Sequence, residues 1–168
     1  MKKISFQNDI LPLKNELFRL ALRITLNRAD AEDIVQETMM RIWNRRGEWD
    51  QIESIEAFCL TACRNLALDK LRRMDNQNQS LDATIDPTDY SHHANPEEQT
   101  VQHDRIQLIR QFINQLPEKQ RSCMQLRDIE GKAYKDIANI LNMTEQQVKI
   151  NIFRARQTIK ERFQKLEK

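Results

Sequence analysis

The sequence predicts an all-α protein made of two small helical domains joined by a flexible acidic linker. Three observations carry that expectation. Two glycines and four prolines in 168 residues are too few for the repeated hairpins of a β-sandwich or barrel. Apolar residues recur at three- and four-residue spacing in segments on both sides of the chain's middle. Between those segments, residues 76–98 carry five carboxylates and neither Lys nor Arg.

Charge sharpens the division. The whole chain has 27 Lys+Arg against 25 Asp+Glu, a net of +2. That near-neutrality argues at face value against a nucleic-acid partner, because such domains are usually strongly basic. Counted by segment, however, residues 1–75 have a net charge of +1, residues 76–98 of −5 and residues 99–168 of +6. Neutrality is a cancellation between unlike parts. The middle segment opens with Asn76-Gln77-Asn78-Gln79-Ser80, is interrupted by Pro87 and Pro96, and shows no apolar period. It cannot bury enough apolar surface to offset ordering, which is the composition of a linker. No apolar run approaches the roughly 20 residues of a membrane span, and the start turns polar too soon for a signal peptide to be expected. The expected location is the cytoplasm.

In residues 1–75, Leu13, Leu17, Leu20, Ala21 and Ile24 have helical spacing, with Pro12 in the first turn. A second helix starts near Asn27, with Asp30 as the expected N-cap. Ala31, Ile34, Val35, Thr38, Met39 and Ile42 form its apolar stripe, and Gly47 is expected to end it. Asp33, Gln36, Glu37, Met40 and Arg41 occupy the other face, either as a solvated surface or as a partner site. Asp33 and Glu37 share that face, but no further carboxylate set or His accompanies them, so a metal centre is not expected. A third helix is predicted from about Ile55 to Arg73, with Ile55, Phe58, Cys59, Ala62 and Leu66 on one face. Its end is basic: Arg64, Lys70, Arg72 and Arg73, with Asn65 and Asp69 among them. The helix dipole alone would favour those cations, and so would phosphate contacts with single-stranded DNA. The three cysteines, Cys59, Cys63 and Cys123, lie inside apolar-periodic segments and read as small buried apolar groups. His92-His93 reads as a solvated pair in the linker.

Residues 99–168 begin with the stripe Val101, Ile106, Ile109, Phe112, Ile113 and Leu116, stopped by Pro117. A helix from about Glu118 ends near Gly131, and a short helix covers Tyr134 to Leu141. Thr144-Glu145-Gln146-Gln147 has the form of a capping box and sets the start of a long last helix. Short helix, tight turn and capped long helix make a helix-turn-helix. Val148, Ile152, Ala155, Ile159 and Phe163 must face the core of that domain. Gln146, Lys149, Ile150, Asn151, Phe153 and Arg154 are left on the surface that would enter a major groove. Arg and Lys there can bond guanine, and Asn or Gln adenine. A solvated amphipathic helix is the plainer alternative; cap, short preceding helix and basic face together favour DNA.

These segments, in this order, resemble a bacterial RNA polymerase sigma factor of the extracytoplasmic-function (ECF) group of the sigma-70 family. Residues 29–38, continuing to Trp43, resemble the region-two helix that grips core polymerase. The resemblance therefore implies a polymerase contact at Asp33, Gln36, Glu37 and Arg41. Residues 62–73 are similar to the helix that contacts the minus-ten element, implying roles for Arg64, Asn65, Asp69, Lys70, Arg72 and Arg73. Gly47 to Ser54 corresponds to the loop that captures a flipped-out promoter base. Leu116-Pro117-Glu118-Lys119-Gln120-Arg121, Glu130-Gly131, Ile137-Ala138, Val148-Lys149 and Phe153-Arg154-Ala155-Arg156 resemble region four, which reads the minus-thirty-five element.

The implied organisation is a region-two-like domain over 1–75, a linker over 76–98, and a region-four-like domain over 99–168. The second domain would be a winged-helix-like helix-turn-helix without strands. The implied partners are core RNA polymerase, promoter DNA and an anti-sigma factor, with no membrane insertion and no small-molecule substrate. No catalytic residue, cofactor or metal is implied, and the implied function is promoter-directed transcription initiation in a stress or envelope-signal response. A conventional helix-turn-helix repressor or activator, or a helical adaptor or sigma antagonist, are the alternatives. Three departures bear on promoter choice: Asn142 stands at a turn where Gly is frequent, Ile150 at a recognition position where a small polar residue is usual, and Phe58-Cys59 in place of the frequent Trp-Leu.

Overall fold

The computed structural model describes residues 3–77 and 101–166; most of the acidic linker, with His92-His93, lies outside the described residues. Among the described residues the fold is carried by seven α-helices: α1 Lys14–Thr25, α2 Arg28–Asn44, α3 Ile55–Gln77, α4 Val101–Asn114, α5 Glu118–Met124, α6 Tyr134–Leu141 and α7 Glu145–Leu166. No strand occurs among the described residues.

The first three helices pack on one another around Ile10, Leu17, Leu20, Ile24, Ile34, Val35, Ile42, Leu60 and Cys63. The stripe of α2 is buried as its period requires, with Met39 half-buried at its margin, and Asp33, Gln36, Glu37, Met40 and Arg41 are all exposed. The N-cap of α2 is Asn27, whose side-chain oxygen accepts from the Asp30 amide at 2.9 Å. Asp30 is therefore inside the helix, where its carboxylate still meets the positive end of the dipole and pairs with Lys70 at 3.7 Å. Both residues are good N-caps; Asn27 wins because Thr25 bonds its backbone and sets the extended φ of −138° that a cap needs.

Gly47 does not end α2. The helix stops at Asn44, and a tight 3-10 turn follows over Arg46–Gln51. Trp49 holds this turn in place: its ring is buried, and its indole N–H donates to the Ile42 carbonyl at 3.0 Å. Trp43 packs edge-on against both Phe6 and Trp49.

The second half assembles α4 to α7. Gly131 (φ 73°) and Asn142 (φ 54°) take the left-handed conformation at the ends of their segments. Asn at the second position tolerates that conformation nearly as well as the usual Gly. The capping box is complete. The Gln147 amide donates to the Thr144 hydroxyl, and the Thr144 amide donates to the Gln147 side-chain oxygen, both at 3.0 Å. Val148, Ile152 and Ala155 are buried, Ile159 and Phe163 half-buried, and Phe163 meets Phe112 edge to face.

The two halves are in direct contact. Helices α1 and α3 of the first pack on α5 and α6 of the second, and the buried apolar cluster runs from one half into the other through Cys123, Leu126 and Ile137. This packing widens the buried side of α3 to Cys59, Leu60, Cys63, Leu66 and Ala67, because the helix is covered from two directions. Arg121, only 9 % exposed, spans the junction. Its guanidinium donates to the carbonyls of Arg23 (3.0 Å) and Ile24 (3.1 Å) at the end of α1, and of Leu116 (2.8 Å) and Asn114 (3.4 Å) after α4.

Because the Thr144 hydroxyl satisfies an amide that the helix itself cannot, Thr144→Ala is expected to lower stability by about 1 kcal/mol. The check is the midpoint shift in urea unfolding followed by helical circular dichroism.

Candidate nucleic-acid interface

The start of α7 is the best-defined surface. The capping box sets its first turn, and the buried Val148, Ile152 and Ala155 fix its rotation. The complementary face then presents Gln146, Lys149, Ile150, Phe153 and Arg154 to solvent, with Phe153 68 % exposed. Asn151 is half-buried and donates to the Gln147 carbonyl at 2.8 Å, so its amide is partly used within the helix. The Lys149 ammonium lies 5.4 Å from the centre of the Tyr134 ring, which anchors its stem against α6. Arg156 pairs with Asp128, which holds its pKa above the ordinary guanidinium value and ties α7 to the turn after α5.

The basic end of α3 divides between two faces. Asn65, Asp69, Arg72 and Arg73 are exposed, and Lys70 is half-buried against Asp30. Arg72 and Asp69 form a loose pair at 3.9 Å. Arg64 points elsewhere: it is 8 % exposed and faces Glu118 of α5 across the junction, with Nε to Oε1 at 3.8 Å. The sequence places Arg64 with the other cations, but the packing removes it from their surface.

A cleft of about 450 Å³ opens between the end of α2 and the middle of α3. Arg41, Asn44, Thr61 and Asn65 supply polar groups, and Phe58 forms a wall with the Arg45 guanidinium 5.1 Å from its ring centre. Sequence reasoning missed Asn44, Arg45 and Thr61. The four-residue spacing of Thr61 and Asn65 signals a shared face, but only the packing of α3 on α2 aims that face into the cleft.

A larger apolar groove, about 760 Å³, separates α1 from α4 and α7. Leu22, Ile106, Ile109, Ile113, Ile129 and Ile159 line it, and Ile106 is half exposed. Arg110 and Lys160 stand at its edge without an ion pair among the described residues.

Residues 10–77 match the family model for sigma-70 region 2, and residues 106–159 match that for sigma-70 region 4. The ECF RNA polymerase sigma factor SigL of Mycobacterium tuberculosis is 30 % identical over 151 residues, covering 89 % of this chain and 84 % of SigL. This chain is an ECF-type RNA polymerase sigma factor. The sigma-H factor of Pseudomonas aeruginosa is 25 % identical to this sigma factor, over 98 % of this chain and 89 % of that protein. The same fold appears in the sigma factor RpoE of Bartonella quintana, solved in complex with the anti-sigma factor NepR. It superposes with a TM-score of 0.72 at 21 % identity, over 93 % of this chain and 94 % of that one. The sigma factor thus belongs to the transcription initiation factors, and its two matched regions coincide with the two helical assemblies described above. No described helix is long and apolar enough to cross a membrane.

The three cysteines take no part in the site. All are buried, and burial pushes each thiol from 9.0 up to about 12. Cys63 Sγ donates to the Leu17 carbonyl at 3.3 Å. Between pH 9 and 12 the unfolded chain sheds these protons and the folded chain keeps them, so stability falls as pH rises above about 9. A disulfide-exchange reagent at pH 8 is expected to leave the native thiols unmodified and to titrate all three in urea.

Proposed function

We propose a residue-level division of labour for promoter-directed initiation by this sigma factor. The exposed face of α2, with Asp33, Gln36, Glu37 and Arg41, docks on core RNA polymerase. Asn65, Asp69, Lys70, Arg72 and Arg73, joined by Arg64 once it is uncovered, engage the minus-ten element. The first turns of α7 read the minus-thirty-five element through Gln146, Lys149, Ile150, Asn151, Phe153 and Arg154. The capped and rotationally fixed start of α7 is the observation that carries this reading. It aims a basic, hydrogen-bonding face outward at the place where a helix-turn-helix meets the major groove.

Each surface does a different physical job. Contacts from Lys and Arg to phosphate supply affinity that falls with salt, whereas base edges supply selection. Ile150 has no hydrogen bond to offer and suits a thymine methyl. The turn over Arg46–Gln51, held by Trp49, follows directly in the chain on Asn44 and Arg45, which line the cleft with Thr61 and Asn65. Amide side chains above an aromatic wall can pair with the Watson–Crick edge of an extruded base while the ring packs on its face. An anti-sigma factor is a proposed partner, by analogy with the complex of Bartonella RpoE and the anti-sigma factor NepR, and the cationic lining of the apolar groove favours acidic segments within it. The proposed site of action is the bacterial cytoplasm.

Run-off transcription with purified core polymerase tests the assignment: promoter-dependent product is expected only when this sigma factor is added. Arg154→Ala should cost about 1–3 kcal/mol in promoter binding and relax discrimination at one upstream position. Asp33→Ala with Glu37→Ala should weaken polymerase association while leaving duplex binding by the free chain unchanged; unchanged polymerase affinity would sink the α2 assignment.

A further inference from the structure

The outward face of α7 has an apolar centre. Val148, Ile152 and Ala155 are buried, and Ile150 stands two residues from both Val148 and Ile152, roughly 160° around the helix from each. Ile150 therefore projects straight away from the core. Phe153, one turn further on, shares that side of the helix. Both are exposed, Ile150 at 40 % and Phe153 at 68 %. The polar side chains of the same turns are drawn aside. Gln147 closes the capping box, the Asn151 amide donates back to the Gln147 carbonyl, and Arg156 pairs with Asp128. Lys149 leans on the Tyr134 ring of α6, which also carries the Arg127 guanidinium 4.2 Å from its centre. What remains at the crest is an apolar strip, with Lys149 on one flank and Arg154 on the other.

We propose that Ile150 and Phe153 form a methyl-reading strip, and that this sigma factor selects its minus-thirty-five element by the 5-methyl groups of neighbouring thymines. The proposal rests on the reading that the first turns of α7 enter the major groove, and it names what they select there. Thymine is the one base whose major-groove edge carries an apolar group. Against a methyl, an apolar tip removes hydrocarbon from water. Against the amino group of cytosine or adenine, or the oxygen of guanine, the same tip displaces water and returns no hydrogen bond. Selection therefore works by attraction and by rejection. The spacing suits a pair of bases. Ile150 and Phe153 lie about 4.5 Å apart along the helix axis, close to the ~3.4 Å between successive bases of one strand. The cationic flanks match as well. A major groove has phosphates along both rims and thymine methyls on its floor, so hydrocarbon at the centre and cations at the sides complement it. An apolar patch on a protein would satisfy the strip but leave both cations without those anionic rims.

The test presents holoenzyme, assembled from the full chain and core RNA polymerase, with a pool of duplexes randomised over the upstream element. The wild type is expected to enrich duplexes with neighbouring thymines on one strand. The enriched duplex is then resynthesised with deoxyuridine at one or both of those positions, which removes the methyl and keeps every hydrogen-bonding group. Affinity by filter binding should fall about fourfold for each methyl removed, the worth of one buried carbon. Ile150→Ser should lose sensitivity to uracil at one position and Phe153→Ala at the other, both with unchanged helical circular dichroism. Cytosine placed at either position should bind weakly, and 5-methylcytosine more tightly.

Equal affinity of the wild type for thymine and uracil duplexes overturns methyl reading. Uracil sensitivity that survives Ile150→Ser and Phe153→Ala overturns the strip, and this is the result expected if these side chains meet a protein instead. Enrichment of upstream bases other than neighbouring thymines also overturns the proposal, while leaving the placement of α7 intact. Enrichment of no upstream sequence, or of a sequence unchanged by Arg154→Ala, Ile150→Ser and Phe153→Ala alike, defeats the placement of α7 itself. The two failures are thereby told apart.

Discussion

Arg121 holds the molecule's two halves in one arrangement. A helix leaves its last carbonyls without internal partners, and α1 ends at Leu26 in a left-handed conformation, φ 58°, with no glycine to ease it. Nε and Nη2 of Arg121 fill that end, and Nη1 of the same guanidinium fills the end of α4. A fork of five donors can satisfy two helix ends at once where Lys could not. Because the group is buried and charged, its place is specific: a carbonyl cluster offers the negative ends of two dipoles, and few other positions on either half would compensate its desolvation. Around that contact, ion pairs from Lys132 to Glu16 and Glu56 and from Arg64 to Glu118 cross the same junction.

The surfaces proposed to meet partners follow a common rule. Each lies on a helix whose opposite face is locked into a core, so the exposed side chains are aimed by burial rather than by their own interactions. In α2, Ile34, Val35 and Ile42 set the rotation that exposes Glu37; in α7, Val148 and Ile152 do the same for Arg154. Helix α3 differs because both halves cover it. Its exposed residues form a narrow strip ending in Arg72 and Arg73, and its buried residues include a cation that would otherwise join them. The one helix proposed to touch melted DNA is also the one that both halves cover.

Much of this was legible before any coordinates. The 3.6-residue period placed the exposed face of α2 correctly because that helix packs on one side only. Thr144 and Gln147 announced the start of α7 because a capping box is a local motif whose hydrogen bonds span four residues. Legibility failed where two local solutions competed or where a distant segment intervened. Asn27 and Asp30 are comparable caps, and the choice fell to Thr25. Gly47 resembled a helix stop, yet Trp49 and its bond to Ile42 shaped the turn instead. Arg64 resembled its basic neighbours, and nothing within its own helix pointed to Glu118, more than fifty positions along the chain.

The sequence by itself determined the helical class, the family and which faces of α2 and α7 stay exposed, because periodicity and capping are local properties and the family motifs are runs of neighbouring residues. Only the tertiary structure decided that the halves close on each other, that Arg121 joins two helix ends, that Asn44, Thr61 and Asn65 share a cleft, and that Arg64 is withdrawn. The physical reason is common to all four. Each depends on which residues of separate helices come within a few ångströms, and one-dimensional spacing carries no information about that distance.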